Sequence, residues 1–195
     1  MTTDNVNPGR RRFLIGATSV VGAAGAVGIA VPFLSSWQPS AKARSAGASM
    51  KFNISKMEPG SMVTLEWRRQ PIYVVRRTPE SLDLLKTIPN EDLKDADSLL
   101  SDQPSYAQNV ERSSDPEFLV LKAVCTHLGC APKYHPKPGD LDADWKGGFF
   151  CPCHGSKFDL AGRVYSGAPA GANLPIPPYM IDGGVITVGE DGGAA

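Results

Sequence analysis

The chain is poor in cysteine, histidine and aromatic residues, and it has no net charge. Four cysteines and three histidines occur in 195 residues, and 20 Lys and Arg balance 20 Asp and Glu. Without a basic excess there is no electrostatic case for a nucleic-acid or phosphate-rich partner. No internal repeat is present, and no low-complexity tract outside the N-terminal apolar stretch. The length suffices for one domain with a real core plus a modest extension. What the chain does have is 20 Gly and 17 Pro, concentrated in its second half among short apolar runs. That composition predicts an all-β, turn-rich fold.

Charge is missing altogether from Phe13 to Leu34. About 22 residues in a helix reach about 33 Å, enough to cross a hydrocarbon core. Just before it, Gly9-Arg10-Arg11-Arg12-Phe13-Leu14 matches a twin-arginine export signal. Ala41-Lys42-Ala43 resembles a small-x-small cleavage site, but an ordinary signal has an apolar region of only about 7–15 residues. The length therefore favours a retained transmembrane anchor over residues 13–34. The arginines ahead of the span place segment 1–12 in the cytoplasm, although Lys42 and Arg44 lie beyond it. Gly16, Gly22, Gly25 and Gly28 give the span a small-residue face, as do residues that merely lower the hydrophobicity of an export signal.

Residues 35–49 read as a polar, Ala/Gly/Ser-containing flexible tether, and residues 50–195 as the globular domain. Lys51–Ser55, Met62–Trp67 and Ile72–Arg76 read as strands of a meander, with Glu58-Pro59-Gly60 and Arg68–Pro71 as turns. Pro79-Glu80-Ser81 opens a short helix, and a second is expected within Pro89–Leu100. Phe118–Val124 is a buried strand leading to Cys125, and Gly148-Phe149-Phe150 a short one leading to Cys151. Asp182-Gly183-Gly184 turns a final hairpin between Tyr179–Ile181 and Val185–Val188.

All four cysteines and two of the three histidines fall in Cys125-Thr126-His127-Leu128-Gly129-Cys130 and Cys151-Pro152-Cys153-His154-Gly155-Ser156. Together the runs offer a Cys-x-His and a Cys-x-x-His pair, with one cysteine of each run to spare. A Cys₂His₂ zinc site is chemically reasonable, but zinc favours Cys-x₂₋₄-Cys and His-x₃₋₅-His spacing. It would also leave two cysteines unexplained. Two disulfides in an exported protein, with bystander histidines, are another reading. A third uses all six residues: two thiolates on one iron of a [2Fe–2S] cluster, two neutral imidazoles on the other, and a disulfide between the loops. Replacing two thiolates by imidazoles lifts such a cluster to about −150 to +300 mV. His135 has no cysteine at ligand spacing and reads as a solvated loop residue. Trp145, Phe149 and Phe150 read as core.

Cys-Thr-His-Leu-Gly-Cys and Cys-Pro-Cys-His-Gly-Ser resemble the two boxes of Rieske iron–sulfur proteins, and the spare cysteines point to the disulfide-bearing branch. Glu58-Pro59-Gly60 through Trp67, and Val74-Val75-Arg76-Arg77-Thr78, resemble the Rieske subunit of bacterial ubiquinol–cytochrome c reductase, the cytochrome bc1 complex. The resemblance covers nearly the whole chain. It implies a Rieske-type antiparallel β-sandwich with a small cluster-binding subdomain (about 122–170), preceded by one N-terminal transmembrane helix.

The resemblance further implies that Cys125 and Cys151 are thiolate ligands, His127 and His154 imidazole ligands, and Cys130–Cys153 a disulfide. Leu128 corresponds to the apolar residue shielding the cluster, and Ser156 to a serine hydrogen-bonded to a bridging sulfur. Gly167-Ala168-Pro169-Ala170-Gly171 corresponds to the loop covering the cluster, less proline-rich than the common Gly-Pro-Ala-Pro form. Where many relatives have a tyrosine donating to a ligand sulfur, this chain has Phe158. The implied function is electron transfer within an oxidoreductase complex. One electron leaves ubiquinol, with a proton via quinol-facing His154, and passes to cytochrome c1 while the second enters cytochrome b. The chain alone would then be an electron carrier in the bacterial inner membrane, single-pass, with its Rieske domain periplasmic. Two other functions fit parts of the pattern: the Rieske small subunit of arsenite oxidase, and a zinc-stabilised exported interaction domain.

Overall fold

The structure, a computed structural model, describes residues 7–41 and 47–191; Lys42 to Ala46, with most of the cleavage-like site, lie outside them. The chain divides into two units, Met1–Ser45 and Ala46–Ala195.

In the first unit, helix α1 (Pro8–Ser35) runs 28 residues, and none of its side chains is buried within the unit. The Asn7 side chain caps it by accepting from the amides of Gly9 and Arg10, with Pro8 in the first turn. Thr18, a polar residue within the apolar run, returns its hydroxyl to the carbonyl of Leu14 at 2.7 Å. By length and composition α1 could cross a membrane.

The second unit carries three antiparallel three-stranded sheets. Strands β2 (Met62–Trp67), β3 (Gln70–Arg76) and β4 (Phe118–Lys122) form the first, in the order β2-β3-β4. Ile72, Val74, Leu119, Val120 and Leu121 are fully buried. Both faces of β3 and β4 are thus covered, which is why their sequences are unbroken apolar runs. Arg68 and Arg69 both take positive φ (50° and 61°) in the tight β2–β3 turn, and the Arg68 guanidinium lies 4.4 Å from the Trp67 ring centroid. The second sheet pairs β1 (Met50–Asn53) with β9 (Val185–Val188) and β9 with β8 (Tyr179–Asp182).

The third sheet is small: β5 (Lys133–His135), β6 (Gly148–Phe150) and β7 (Lys157–Phe158). It joins the main core through Tyr73, whose ring stacks 6.1 Å from Phe149 and whose hydroxyl donates to the Pro132 carbonyl at 2.9 Å. Gly148 (φ 145°) passes so close to β7 that a Cβ there would sit 2.0 Å from the Phe158 carbonyl oxygen. No side chain fits, so glycine is required where the chain turns toward Cys151.

Between β3 and β4 the chain makes helix α2 (Pro79–Lys86), opened by a Thr78–Ser81 capping box. The second helix expected within Pro89–Leu100 is replaced by one 3₁₀ turn at Asn90–Asp92. Tertiary bonds win there: Leu93 bridges Tyr165, the Lys94 amide donates to the Val164 carbonyl, and Ser98 sits at φ 53°. The buried Asp95 carboxylate then accepts from the amides of Leu99 and Leu100 and the Ser101 hydroxyl.

Two fully buried guanidiniums fasten this insertion. Arg77 donates to the carbonyls of Pro116 and Glu111 and to Ser113 Oγ. Arg112 donates to Gln103 Oε1 and to the carbonyls of Ala161 and Gly162. Burial lowers both to about 10, still charged at neutral pH. Neutral oxygens, not carboxylates, satisfy these cations, so removing either side chain would strand several acceptors.

Two outcomes are expected. Burial raises all five tyrosines, Tyr134 to about 12. The folded state thus holds phenolic protons that the unfolded chain releases near pH 10, so stability intact below pH 10 falls between about 10 and 12. Spectrophotometric titration should show tyrosinate appearing later in native than in denatured protein; coincident curves would refute the burial. Gly148→Ala should lower stability by more than about 3 kcal/mol, measured by denaturant unfolding; an unchanged midpoint would contradict the close approach.

Candidate metal centre

Strand β4 ends at Lys122 and β6 at Phe150; each delivers the chain into a loop of the same build. In the first loop, the Cys125 amide donates to the Cys130 carbonyl at 2.8 Å, and the Gly129 amide to the Cys125 carbonyl at 2.9 Å. In the second, the Cys151 amide donates to the Ser156 carbonyl at 2.8 Å, and the Gly155 amide to the Cys151 carbonyl at 2.9 Å. Gly129 (φ 85°) and Gly155 (φ 77°) close the two turns in the left-handed region. A Cβ at either would meet no neighbour, so backbone conformation and not space demands glycine.

Cys130 and Cys153 are joined by a disulfide with their Cα atoms 6.6 Å apart. Cys125 and Cys151 remain free thiols, both buried. The Cys151 sulfur lies within 4.8 Å of both disulfide sulfurs. Those three atoms are no ligand set by themselves, because the bonded pair has no thiolate to offer. The rings of His127 and His154 meet edge to face, with centroids 4.6 Å apart. His154 is exposed and His127 half-buried.

These four side chains fit a two-iron cluster. Nδ1 of His127 is buried with no hydrogen-bond partner, a costly arrangement for a protein group and an ordinary one for a metal ligand. The Cys125 thiol is pushed up first by burial, lowered by the His127 amide, raised by neighbouring Cys151 and lowered by the Ser156 hydroxyl. The balance disfavours a bare thiolate, so a cation supplies what the protein withholds.

Ser156 is fully buried, and its Oγ accepts from the Ala170 amide at 3.0 Å. Thr126 Oγ1 donates to the Ala172 carbonyl at 2.5 Å. The 167–172 segment is therefore tied to both cysteine–histidine loops. Leu128, expected to shield the site, is 71 % exposed and stands at the tip beside the imidazoles. His135 does not join the site. It ends β5, half-buried, with its ring against Phe150 and Nδ1 3.9 Å from Asp140, which corrects the solvated-loop expectation. Trp145 and Phe149 are core, whereas Phe150 is only partly buried.

Sequence reasoning missed the support around the loops. Asp159, fully buried, holds Arg163 Nε at 2.6 Å and the amides of Ala161 and Arg163 at 2.8 Å. A carboxylate one residue past an aromatic gives no local signal of that role.

A family model described as "Rieske [2Fe-2S] domain" matches residues 50–178. Another, described as "Ubiquitinol-cytochrome C reductase Fe-S subunit TAT signal", matches residues 1–40. The ubiquinol-cytochrome c reductase iron-sulfur subunit of Allochromatium vinosum is 50% identical over 198 residues, covering 100% of this chain and 95% of that one. Its counterpart from Blastochloris viridis is 41% identical, covering 96% and 97%. That from Bradyrhizobium diazoefficiens is 38% identical, covering 89% and 90%. Full-length identity at this level sets aside the arsenite-oxidase and zinc readings.

Phe158 is fully buried in β7, opposite Phe149, and has no hydroxyl to donate toward a ligand sulfur. A missing donor leaves the more negative, reduced cluster less stabilised. Redox titration of Phe158→Tyr should show a higher potential than wild type; an equal or lower value would sink this assignment.

Proposed function

The chain belongs to the Rieske iron–sulfur subunits of ubiquinol–cytochrome c reductase, and from that premise we propose how its residues serve quinol oxidation. Cys125 and Cys151 would hold one iron through thiolates, and His127 and His154 would hold the other through Nδ1. A cluster held there would supply one-electron redox chemistry. The observation that carries this division is the burial gradient, with both thiols inside, His127 half-buried and His154 exposed.

An exposed imidazole bound through Nδ1 leaves Nε2 for a second partner. His154 Nε2 accepts a hydrogen bond from the quinol hydroxyl and takes its proton as one electron leaves the quinol. Leu128, apolar and exposed alongside, excludes water from that contact and favours an apolar docking surface. The proton is later released to solvent from the same nitrogen, when the electron is handed on.

The partners follow from the family. The donor is ubiquinol, the acceptor of the first electron cytochrome c1, and the second electron enters cytochrome b. This chain is the carrier, and turnover belongs to the assembly. The export signal and α1 fit a membrane-anchored, exported domain. We place α1 in the bacterial inner membrane with the N-terminus cytoplasmic, the 50–195 domain periplasmic, and residues 35–49 as tether.

In membranes carrying His154→Ala, quinol:cytochrome c reductase activity should fall at least about 100-fold, beyond the range for second-shell losses at metal sites. Activity above half of wild type would exclude His154 from the reaction.

A further inference from the structure

The loop over the metal centre is anchored at both feet by the segment that was expected to be helical. The Ser166 amide donates to the Asp92 carbonyl at 2.7 Å, and the Lys94 amide to the Val164 carbonyl at 3.0 Å. At the other foot, the buried Asn173 side chain donates through Nδ2 to the Asp95 carbonyl at 2.8 Å and to Ser98 Oγ at 3.0 Å. Between the feet lies the Ala168-Pro169-Ala170 crown, and neither alanine has a side chain that could hold it.

One ammonium spans that crown. Lys94 Nζ donates to the Ala168 carbonyl and, at 2.9 Å, to the Ala170 carbonyl, on either side of a proline that has no amide to offer. Ala170 is thereby held from two directions, its carbonyl by Lys94 and its amide by Ser156 Oγ. A hydroxyl has one proton to give. With the Ala170 amide on its oxygen, Ser156 keeps that proton for an acceptor of its own.

We propose that Lys94 is a positioning residue for the cluster: by clamping Ala168 and Ala170 it fixes the amide that orients the Ser156 hydroxyl toward the ligand sulfurs. The inference rests on the cluster assignment above. Lys94 is exposed at the surface, so its charge alone carries little weight. Its effect comes from holding the crown in one place. Removing it lets Ala170 drift from Ser156, and the serine proton then divides its time among other acceptors.

EPR-monitored redox titration of the full-length protein in membranes tests this. Lys94→Met should shift the equilibrium three- to tenfold against reduction, up to about 59 mV for a one-electron couple. Lys94→Arg, which keeps a donor for each carbonyl, should restore most of the potential. In a Ser156→Ala background, Lys94→Met should add less than a third of its own shift, because the hydroxyl it positions is gone. Lys157→Met, which removes an exposed charge of β7 paired with Asp142, should shift the potential less than Lys94→Met. An unchanged potential in Lys94→Met, or its full shift persisting in Ser156→Ala, would overturn the proposal. A wild-type protein with no Rieske signal would instead remove the cluster assignment.

Discussion

Everything at the metal centre depends on two short loops being held face to face. Each loop is self-contained: its first cysteine is bonded through both backbone groups, and a left-handed glycine closes the turn. Such loops set the position of a cysteine relative to its own histidine, but not relative to the other loop. The Cys130–Cys153 bond supplies the missing constraint by linking them across a sequence separation of 23 residues. In the chain-entropy view a closed loop of that size is worth about 3 kcal/mol. An oxidising compartment, which the export signal provides, is what allows this bond to persist.

Once the loops are joined, burial sorts their side chains. Cys125 and Cys151 both lie in the main hydrophobic cluster together with Val74, Leu121 and Phe149, whereas His127 is half-buried and His154 exposed. A buried thiolate pair is unfavourable without a cation, and an exposed imidazole remains free to exchange a proton. The same gradient that makes the site want metal therefore leaves one face able to do proton chemistry. The exposed Leu128 makes that face apolar. The insertion between β3 and β4 completes the design. Its buried arginines bond to carbonyl and amide oxygens, so it has no need of neighbouring carboxylates and forms a fixed platform behind the covering loop.

The candidate centre was legible in the sequence because the residues proposed to hold it are local. Cys125, His127, Cys151 and His154 lie within two six-residue runs, and the strands that present them are continuous apolar segments. The final hairpin was legible for the same reason, with Asp182-Gly183-Gly184 at its turn. The strands β5 and β7 were not, because two or three residues carry no period to detect. His135 was misread accordingly: its place at the end of β5 depends on pairing with Gly148, a partner thirteen positions away. The expected helix within Pro89–Leu100 failed because Leu93, Lys94 and Asp95 all have partners beyond residue 160, and tertiary bonds override a weak local preference.

The central claim is that one iron is held by two imidazoles, one from each loop. Hyperfine-resolved pulsed EPR on the dithionite-reduced full-length protein addresses it most directly. The account predicts nitrogen couplings from two imidazoles, and a single remaining coupling in any His127 or His154 variant that retains a cluster. A wild-type spectrum with no nitrogen coupling, or with one, would contradict it.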